Sequence, residues 1–246
     1  MQVEFTDRFL DVLKGARSVV VSTGAGVSAE SGVPTFRGEE GLWKKFRAEE
    51  LATFEAFQAN PEIVWEWYNY RREIINKIEP NPGHYAIAEM AGLFDKFQLV
   101  TQNVDDLHRV AGSEDIVELH GNIKRNRCLD CGQVSYDEEF EQFPPLCKCG
   151  GRLRPDVVWF GELLPAGAIE EAFAVSKSCD LFFSVGTSGI VQPAASLPHT
   201  AKQHGAFVTE VNIGPTEITF MADLHLKGKS GEILPVVVEK IKELRG

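Results

Sequence analysis

The chain has 246 residues, with 36 acidic and 25 basic side chains and a formal net charge of −11. Hydrophobic residues make up 43% and charged residues 25%, which is typical of a globular protein and excludes a disordered or collagen-like chain. The acidity disfavours a protein that binds nucleic acid, because contacts to phosphates need a surplus of Lys and Arg on one face. At about 100–200 residues per domain, the length allows one large domain or two unequal ones.

Short β-branched runs alternate with amphipathic helical stretches, which predicts an α/β fold with a mostly parallel sheet. Strands are predicted at residues 18–22, 97–101, 116–119, 156–160, 181–185 and 207–212. Helices are predicted at residues 5–13, 83–93, 104–110, 166–176, 194–203 and 234–244. No stretch approaches the roughly 18 apolar residues of a membrane span, and no signal peptide is recognisable. We therefore expect a cytoplasmic protein without membrane contact.

A glycine turn follows the first predicted strand, with Gly24, Ala25 and Gly26 in G-x-G spacing and Ser28 close behind. Such a turn lets backbone N–H groups approach a pyrophosphate, although a tight turn without a ligand has the same pattern. The acidic residue that grips the ribose about 20 positions later in ordinary dinucleotide folds is missing, and an unusual loop around Phe36 and Arg37 stands instead. This disfavours a hydride-transfer dehydrogenase.

Four of the five cysteines form two close pairs, Cys128 with Cys131 and Cys147 with Cys149. Four thiolates so placed predict a tetrahedral zinc site, and because no ligand position stays open, the zinc is expected to be structural. The fifth, Cys179, precedes an apolar strand and is predicted to be a small buried core residue.

Two segments interrupt the α/β alternation and are predicted to form a smaller module. Residues 38–80 are aromatic and helical, and residues 122–155 contain the cysteine pairs. The apolar face of the helix is predicted from its spacing to include Ile63, Trp67, Tyr70 and Ile74. We therefore expect a Rossmann-like parallel-sheet domain with a zinc-binding and helical module inserted, the domain comprising residues 1–37, 81–121 and 156–246.

Polar side chains follow two neighbouring predicted strands. Gln102, Asn103 and Asp105 come after one strand and His120 after the next. Ligands of open α/β sheets bind at the carboxyl ends of strands, where amides and carboxylates can hydrogen-bond ribose hydroxyls. His120 titrates in the range that suits a general base, although a single histidine at a strand end is more often structural.

In their order along the chain, these segments resemble the sirtuins, a family of NAD-dependent protein lysine deacylases. The resemblance spans residues 16–237 and rests on residues 24–28, 34–37, 101–105, 119–121, 158–162 and the four cysteines. It implies that His120 is the general base after the acyl-lysine amide oxygen attacks C1′ of the nicotinamide ribose, so that nicotinamide and O-acyl-ADP-ribose are released. It also implies an NAD site, with Asn103 both catalytic and cofactor-binding, whose other residues are Gly24, Ala25, Gly26, Ser28, Phe36, Arg37, Gln102, Asp105, Gly186, Thr187, Ser188, Asn212 and Ser230.

The resemblance further implies an acyl-lysine protein or peptide as partner, bound as an added strand along a segment with Val158, Phe160, Gly161 and Glu162. Two positions depart from the family pattern: Gln192 stands where Tyr is common, and Ser230 where Ala or Cys is found.

Tyr68 and Arg71 lie three positions apart, so both project from one helix face, and the arginine offers a planar fork of donors for a carboxylate. The alternative is a surface arginine beside a core aromatic, which is what we expect of Arg72. This Tyr-x-x-Arg pair resembles the signature of the sirtuin class that removes succinyl and malonyl groups, and Ala52 matches its small residue. Alternatives are a plain deacetylase, a mono-ADP-ribosyltransferase, and a zinc-ribbon interaction module, the last disfavoured by the acidic residues 137–141.

Overall fold

A computed structural model describes residues 3–33, 51–136, 140 and 143–246. A six-stranded, wholly parallel sheet forms its centre, in the order β3-β2-β1-β7-β8-β9. These strands are β1 Ser18–Thr23, β2 Lys96–Thr101, β3 Ile116–Glu118, β7 Leu181–Val185, β8 Phe207–Asn212 and β9 Leu224–Lys227. The chain leaves β1 towards β2 on one side and returns to β7 on the other, which places a topological switch point between β1 and β7.

Helices cover both faces of the parallel sheet, so the central strands β1 and β7 are buried on both sides. The helices on its two faces are α1 Asp7–Gly15, α2 Ala25–Ala29, α5 Pro82–Met90, α6 Leu107–Val110, α7 Ala166–Ser178, α8 Leu197–Gln203 and α9 Ser230–Arg245. Val19 and Val21 pack into one core with α1, α5 and α9, whereas Val20 packs into the opposite core with α7 and α8. The α/β prediction with a Rossmann-like parallel sheet is confirmed.

A second, three-stranded antiparallel sheet has the order β5-β4-β6. Its strands are β4 Gly121–Cys128, β5 Val134–Ser135 and β6 Leu153–Val157. The strand predicted at 156–160 is therefore wrong in position and in partner, since residues 153–157 pair antiparallel with β4. The division of the chain at residues 37, 80, 121 and 155 stays a prediction.

Helices α3 Phe54–Ala59 and α4 Pro61–Ile75 pack beside this small sheet. The predicted apolar face of α4 is wrong, because Ile63 and Tyr70 are 42% and 50% exposed. The helix instead buries Val64, Trp65, Trp67, Tyr68, Arg72 and Ile75.

Arg72 was expected at the surface, yet it is only 4% exposed. Its guanidinium donates to the carbonyl oxygens of Ile123 at 2.7 Å and Arg125 at 3.1 Å, and to Asn126 Oδ1 at 2.7 Å. These charge-assisted bonds replace hydration and allow a cation to lie inside the module.

Among the described residues, no helix is long and apolar enough to cross a membrane.

Candidate active site

The glycine turn lies at the switch point of the sheet, pressed against the loop that follows β7. Gly24 N–H donates to Val185 O at 3.0 Å, and Gly26 N–H donates to Gly186 O at 2.8 Å. A Cβ at Gly26 would lie 2.7 Å from Gly186 O, and one at Gly24 would lie 2.9 Å from the same atom. The contact between the two loops therefore requires these glycines whether or not a ligand is bound.

Four segments meet at this point through side-chain hydrogen bonds. Asn103 Nδ2 donates to Ser28 Oγ at 3.1 Å, and Gln102 Nε2 donates to Thr187 Oγ1 at 3.3 Å. Asn212 Nδ2 donates to Thr187 O at 2.9 Å. The structure thus brings together polar residues that follow β1, β2 and β7 and one that ends β8. Such a set of amides and hydroxyls fits a ligand rich in ribose hydroxyls and phosphate oxygens.

Asp105 lies at the inner side of this polar cluster and is 5% exposed. Its Oδ1 accepts a hydrogen bond from Leu107 N–H at 3.0 Å. Burial raises the pKa of Asp105, while the bond from Leu107 and the charge of Arg71 oppose that rise. The pKa of Arg71 is lowered by burial, an effect that Tyr68 and Asp105 oppose. Arg71 of the helical module is therefore electrostatically linked to the polar cluster of the sheet.

His120 lies between the two sheets, after β3 and directly before β4. Its Nδ1 lies 3.0 Å from Gln102 O. A carbonyl only accepts, so Nδ1 bears the hydrogen and Nε2 of the neutral ring keeps its lone pair. Burial lowers the pKa of His120, and the bond to Gln102 O partly opposes this. The ring is thus a neutral base of fixed tautomer. Gly121 follows at φ +77, where a Cβ would lie 2.1 Å from Asp156 O.

The segment 158–162 folds into a turn beside His120. Val158 N–H donates to His120 O and Phe160 N–H to Ala52 O, both at 2.9 Å. Trp159 N–H donates to Glu162 Oε2 at 2.8 Å, and Glu162 N–H returns a bond to Trp159 O at 3.1 Å. The turn needs Gly161, whose φ is +85. The amides of residues 158–160 are therefore committed within the chain.

Glu162 is held by Arg154, a residue that the sequence analysis did not single out. The guanidinium contacts both carboxylate oxygens and also donates to Val157 O at 2.7 Å. It lies 3.3 Å from the centroid of the Trp159 ring. The Glu162 carboxylate is therefore already bonded to Arg154 and to Trp159 N–H within the chain, before any peptide binds.

Tyr68 lies on the buried side of α4 and faces the turn, and Arg71 is half-buried beside it. Tyr68 is 0% exposed, and its hydroxyl oxygen accepts a hydrogen bond from Trp159 Nε1 at 2.8 Å. The Arg71 guanidinium carbon lies 4.8 Å from the Trp67 ring centroid and 5.7 Å from that of Tyr68. Ala52 is 7% exposed at the same place. The residues predicted from the acyl-binding signature are thus brought together.

The remaining predicted cofactor residues lie at the far side of the switch point or outside the described chain. Ser188 lines a cavity of about 370 Å³ with Ile190, Pro215, Thr216, Glu217 and Phe220. Ser230 is buried, and its hydroxyl donates to Glu30 Oε1 at 2.6 Å. Phe36, Arg37 and the acidic residues 137–139 and 141 lie outside the described residues.

Two buried histidines were missed by sequence reasoning. His108 Nε2 lies 3.0 Å from Thr23 Oγ1, and His84 Nε2 lies 3.4 Å from Ser28 Oγ. Burial lowers their pKa values to about 3 for His108 and about 4 for His84, so both are neutral at pH 7. The signal for His84 was its place three residues after Asn81, with which it forms a capping box at the start of α5.

The four clustered cysteines meet on two turns of the small sheet. Their sulfur atoms all lie within 4.8 Å of one another, with 3.5 Å between Cys128 and Cys149 and 3.7 Å between Cys131 and Cys147. A tetrahedral ion with Zn–S bonds of about 2.3 Å requires sulfur atoms about 3.8 Å apart, so the site fits zinc. Gly151 is required beside it, since a Cβ there would lie 2.8 Å from Cys128 Sγ. Cys179 is buried in the core, as predicted.

A parallel sheet with hydrogen-bonding loops at its switch point, beside a four-cysteine module, defines a nucleotide-binding α/β protein with a structural metal site. A model of the Sir2 family matches residues 24–193. The protein named NAD-dependent protein deacylase 2 from Pyrobaculum aerophilum is 53% identical over 234 residues, which cover 94% of this chain and 94% of that protein. The chain belongs to the Sir2 family, the sirtuins.

Solved structures agree with this assignment. A Sir2 homologue in complex with NAD aligns with a TM-score of 0.90 at 43% identity, covering 98% of this chain and 95% of that one. A complex of Sir2, a p53 peptide and NAD+ aligns with a TM-score of 0.85 at 31% identity, covering 96% of this chain and 98% of that one.

Proposed function

We propose that this chain is an NAD-dependent protein-lysine deacylase that prefers succinyl and malonyl groups and also removes acetyl groups. The deacylase activity is inferred from membership of the Sir2 family and from the relative in Pyrobaculum aerophilum, which is named an NAD-dependent protein deacylase. The acyl preference is argued from one observation: the half-buried Arg71 lies beside the fully buried Tyr68, whose hydroxyl contacts Trp159 of the turn at 158–162.

The polar loops at the switch point are the proposed NAD site. When bound, NAD supplies an electrophilic ribose carbon and a nicotinamide leaving group. Ser28, Gln102 and Asn103 lie within one hydrogen-bonded cluster and would orient the ribose hydroxyls near the end of β2. Asn212 ends β8 and Ser188 follows β7, where the adenosine half would bind.

His120 is the proposed general base. Nδ1 is bonded to Gln102 O, so Nε2 is the nitrogen able to accept a proton. Burial lowers the pKa of His120, so the ring is neutral at neutral pH. Val158 N–H donates to the carbonyl oxygen of His120, so the proposed base lies next to the segment proposed to bind the acyl-lysine peptide.

The peptide would bind along residues 158–162 in an extended form. Since the amides of residues 158–160 are engaged within the described chain, peptide N–H groups would pair with the carbonyls of this segment. Recognition through the main chain tolerates many sequences, which suits an enzyme acting on various proteins. The p53 peptide complex of a Sir2 protein supports this class of partner.

Tyr68 and Arg71 would bind the distal carboxylate of a succinyl- or malonyl-lysine. A guanidinium binds a carboxylate through two parallel hydrogen bonds, and a tyrosine hydroxyl adds a third. A small residue at Ala52 leaves room for the longer acyl chain. A cytoplasmic location is part of the proposal, since four thiols of a metal site stay reduced there.

The test compares kcat/KM on matched succinyl- and acetyl-lysine peptides for the parent chain, Arg71→Met and Arg71→Lys. Loss of a charge-assisted contact of about 1.5–3 kcal/mol should lower succinyl kcat/KM about tenfold or more in Arg71→Met. Arg71→Lys keeps the charge without the fork and should fall between the two. An unchanged succinyl-to-acetyl ratio in Arg71→Met would contradict the preference.

Mass spectrometry of the products identifies the reaction independently of acyl preference. We expect nicotinamide, free lysine peptide and O-acyl-ADP-ribose in equal amounts. ADP-ribose retained on the protein or peptide would instead indicate a mono-ADP-ribosyltransferase, and acetyl turnover alone would indicate a plain deacetylase.

A further inference from the structure

The hydrogen bond between Trp159 and Tyr68 has a fixed polarity. An indole N–H only donates, so the Tyr68 hydroxyl oxygen must be the acceptor at 2.8 Å. A phenolic hydroxyl has one hydrogen, and with a donor on its oxygen that hydrogen must point away from Trp159. Trp159 therefore determines the direction in which Tyr68 can donate.

Trp159 itself has little freedom to move. It is 2% exposed, its ring centroid lies 5.3 Å from that of Phe57, and the Arg154 guanidinium covers its face. Its backbone N–H is fastened to Glu162. An aromatic side chain held on its face, its edge and its backbone keeps one rotamer, so the donor offered to Tyr68 is fixed in space.

We propose that Trp159 is a positioning residue for acyl-group selectivity: it orients the Tyr68 hydroxyl so that its hydrogen is directed to the carboxylate of an acidic acyl chain beside Arg71. This inference rests on the proposed succinyl and malonyl preference. Burial also raises the pKa of Tyr68, which keeps the hydroxyl protonated and able to donate.

The bond also joins two parts of the site. Trp159 belongs to the segment proposed to bind the peptide, whereas Tyr68 belongs to α4 and the proposed acyl pocket. A neutral acetyl group offers no acceptor at the Tyr68 hydroxyl, so the orientation of that hydroxyl matters for acidic acyl chains and not for acetyl.

The test replaces Trp159 by Phe, which removes the N–H and keeps an aromatic ring. Trp65→Phe is the matched control, because Trp65 is equally buried in the same core and its Nε1 donates to Leu153 O at 3.1 Å. The measured quantity is the ratio of succinyl to acetyl kcat/KM. We expect a fall of about fivefold in Trp159→Phe, mostly in KM, and no change in Trp65→Phe.

A second pair of variants tests whether Trp159 acts through the Tyr68 hydroxyl. Tyr68→Phe should lower the ratio on its own, and adding Trp159→Phe should lower it no further. Trp159→Met, an apolar side chain that carries no donor, replaces Trp159→Phe if the latter does not fold by circular dichroism.

The outcomes separate the two ideas. If Tyr68→Phe and Arg71→Met lower the ratio but Trp159→Phe leaves it unchanged, the role of Trp159 is refuted and the acyl preference stands. An equal loss on both peptides, or an undiminished effect in the Tyr68→Phe background, also refutes it. If Tyr68→Phe and Arg71→Met leave the ratio unchanged, the acyl preference itself fails.

Discussion

One carbonyl oxygen fixes the tautomer of His120. Gln102 O accepts from Nδ1, and the residue that offers this carbonyl is itself bonded through its side chain to Thr187. The imidazole is thus oriented by the same loop that forms the proposed nucleotide site. A base placed in this way needs no neighbouring carboxylate to select its tautomer.

We expect His120→Ala to lose deacylation by at least about 100-fold, the lower end of what general base catalysis contributes. Loss of the imidazole removes one hydrogen bond, to Gln102 O, and leaves the bonds among the loops at the switch point, so NAD affinity should change little. Calorimetric titration with NAD and single-turnover assays measure the two effects. Near-normal turnover in this variant would exclude His120 as the base.

Among the described residues other than glycine, Asp106 has a left-handed backbone conformation, with φ 69. Its carboxylate compensates by accepting from Asn122 Nδ2 at 2.7 Å and Arg109 Nε at 3.3 Å. Asp106→Ala keeps the strain and loses the bonds, so it should lower the free energy of unfolding by about 1–3 kcal/mol.

Asp106→Gly is the matched variant for the same position. It loses the same bonds but relieves the backbone strain, so urea unfolding should show it about 1 kcal/mol more stable than Asp106→Ala. Equal stabilities of the two variants would mean that the strain at Asp106 is negligible.

Among the elements, the strands of the parallel sheet were the easiest to predict. Apolar β-branched runs buried on both faces gave residues 18–22 and 181–185 within one residue of β1 and β7. The small sheet was missed because its strands are rich in charge. Arg125, Arg127 and Asp156 are accommodated by ion pairs and not by apolar packing, which leaves no hydrophobic alternation to read.

The same limit applies to α4 and to the site. A face that buries Arg72 through backbone carbonyls cannot be recognised by counting apolar residues. The glycine turn, the cysteine pairs and His120 were predictable because spacing or position after a strand identifies them. Trp159, Arg154 and His108 were not, because their partners lie 91, 8 and 85 residues away and only folding brings them together.

The metal site should determine whether the small sheet persists. Structural zinc contributes directly to folding, so removal by a strong chelator should unfold β4–β6 and abolish deacylation, since β6 leads into residues 158–162. Atomic emission spectroscopy should find one zinc ion per chain, and this zinc should be lost in Cys131→Ser. Cys179→Ala, which alters a thiol outside the cluster, should retain the metal. Full zinc content in Cys131→Ser would contradict the assignment.

Over the whole molecule, the two buried histidines tie stability to pH. Their folded pKa values, about 4 for His84 and about 3 for His108, lie below the usual value of about 6.5. As pH falls below 6.5 the unfolded chain binds protons that the folded chain does not, so the stability present above 6.5 is lost. These two groups contribute a slope of roughly 2–3 kcal/mol per pH unit at most, and His120, whose pKa is also lowered by burial, adds to it.

Urea unfolding between about pH 6.5 and 5 measures this slope, above the range where most carboxylates titrate. His108→Asn should remove roughly half of the contribution of this pair to the slope, whatever its effect on absolute stability. His204→Gln, at an exposed position, should leave it unchanged. A slope equal in all three proteins would show that the buried histidines do not control the acid stability.

Charged side chains join the two sheets across their boundary. Arg125 of β4 lies 2.7 Å from Glu118 at the end of β3 and 2.9 Å from Asp156 of β6. Glu118 also accepts from Asn122 Nδ2 at 2.9 Å. These groups are partly shielded from water, so salt should weaken them less than it weakens surface pairs.

The carbonyl of His120 has a consequence for motion. Val158 N–H is bonded to this carbonyl, so the proposed base and the segment proposed to bind the peptide are joined through one short piece of backbone. The imidazole of His120 is bonded in turn to Gln102 O, on the loop that follows β2 of the large sheet, so His120 is fastened to both sheets. Rocking of the small sheet against the large one would stretch one of these two bonds, so His120 holds the proposed peptide segment and the proposed nucleotide site at a constant separation.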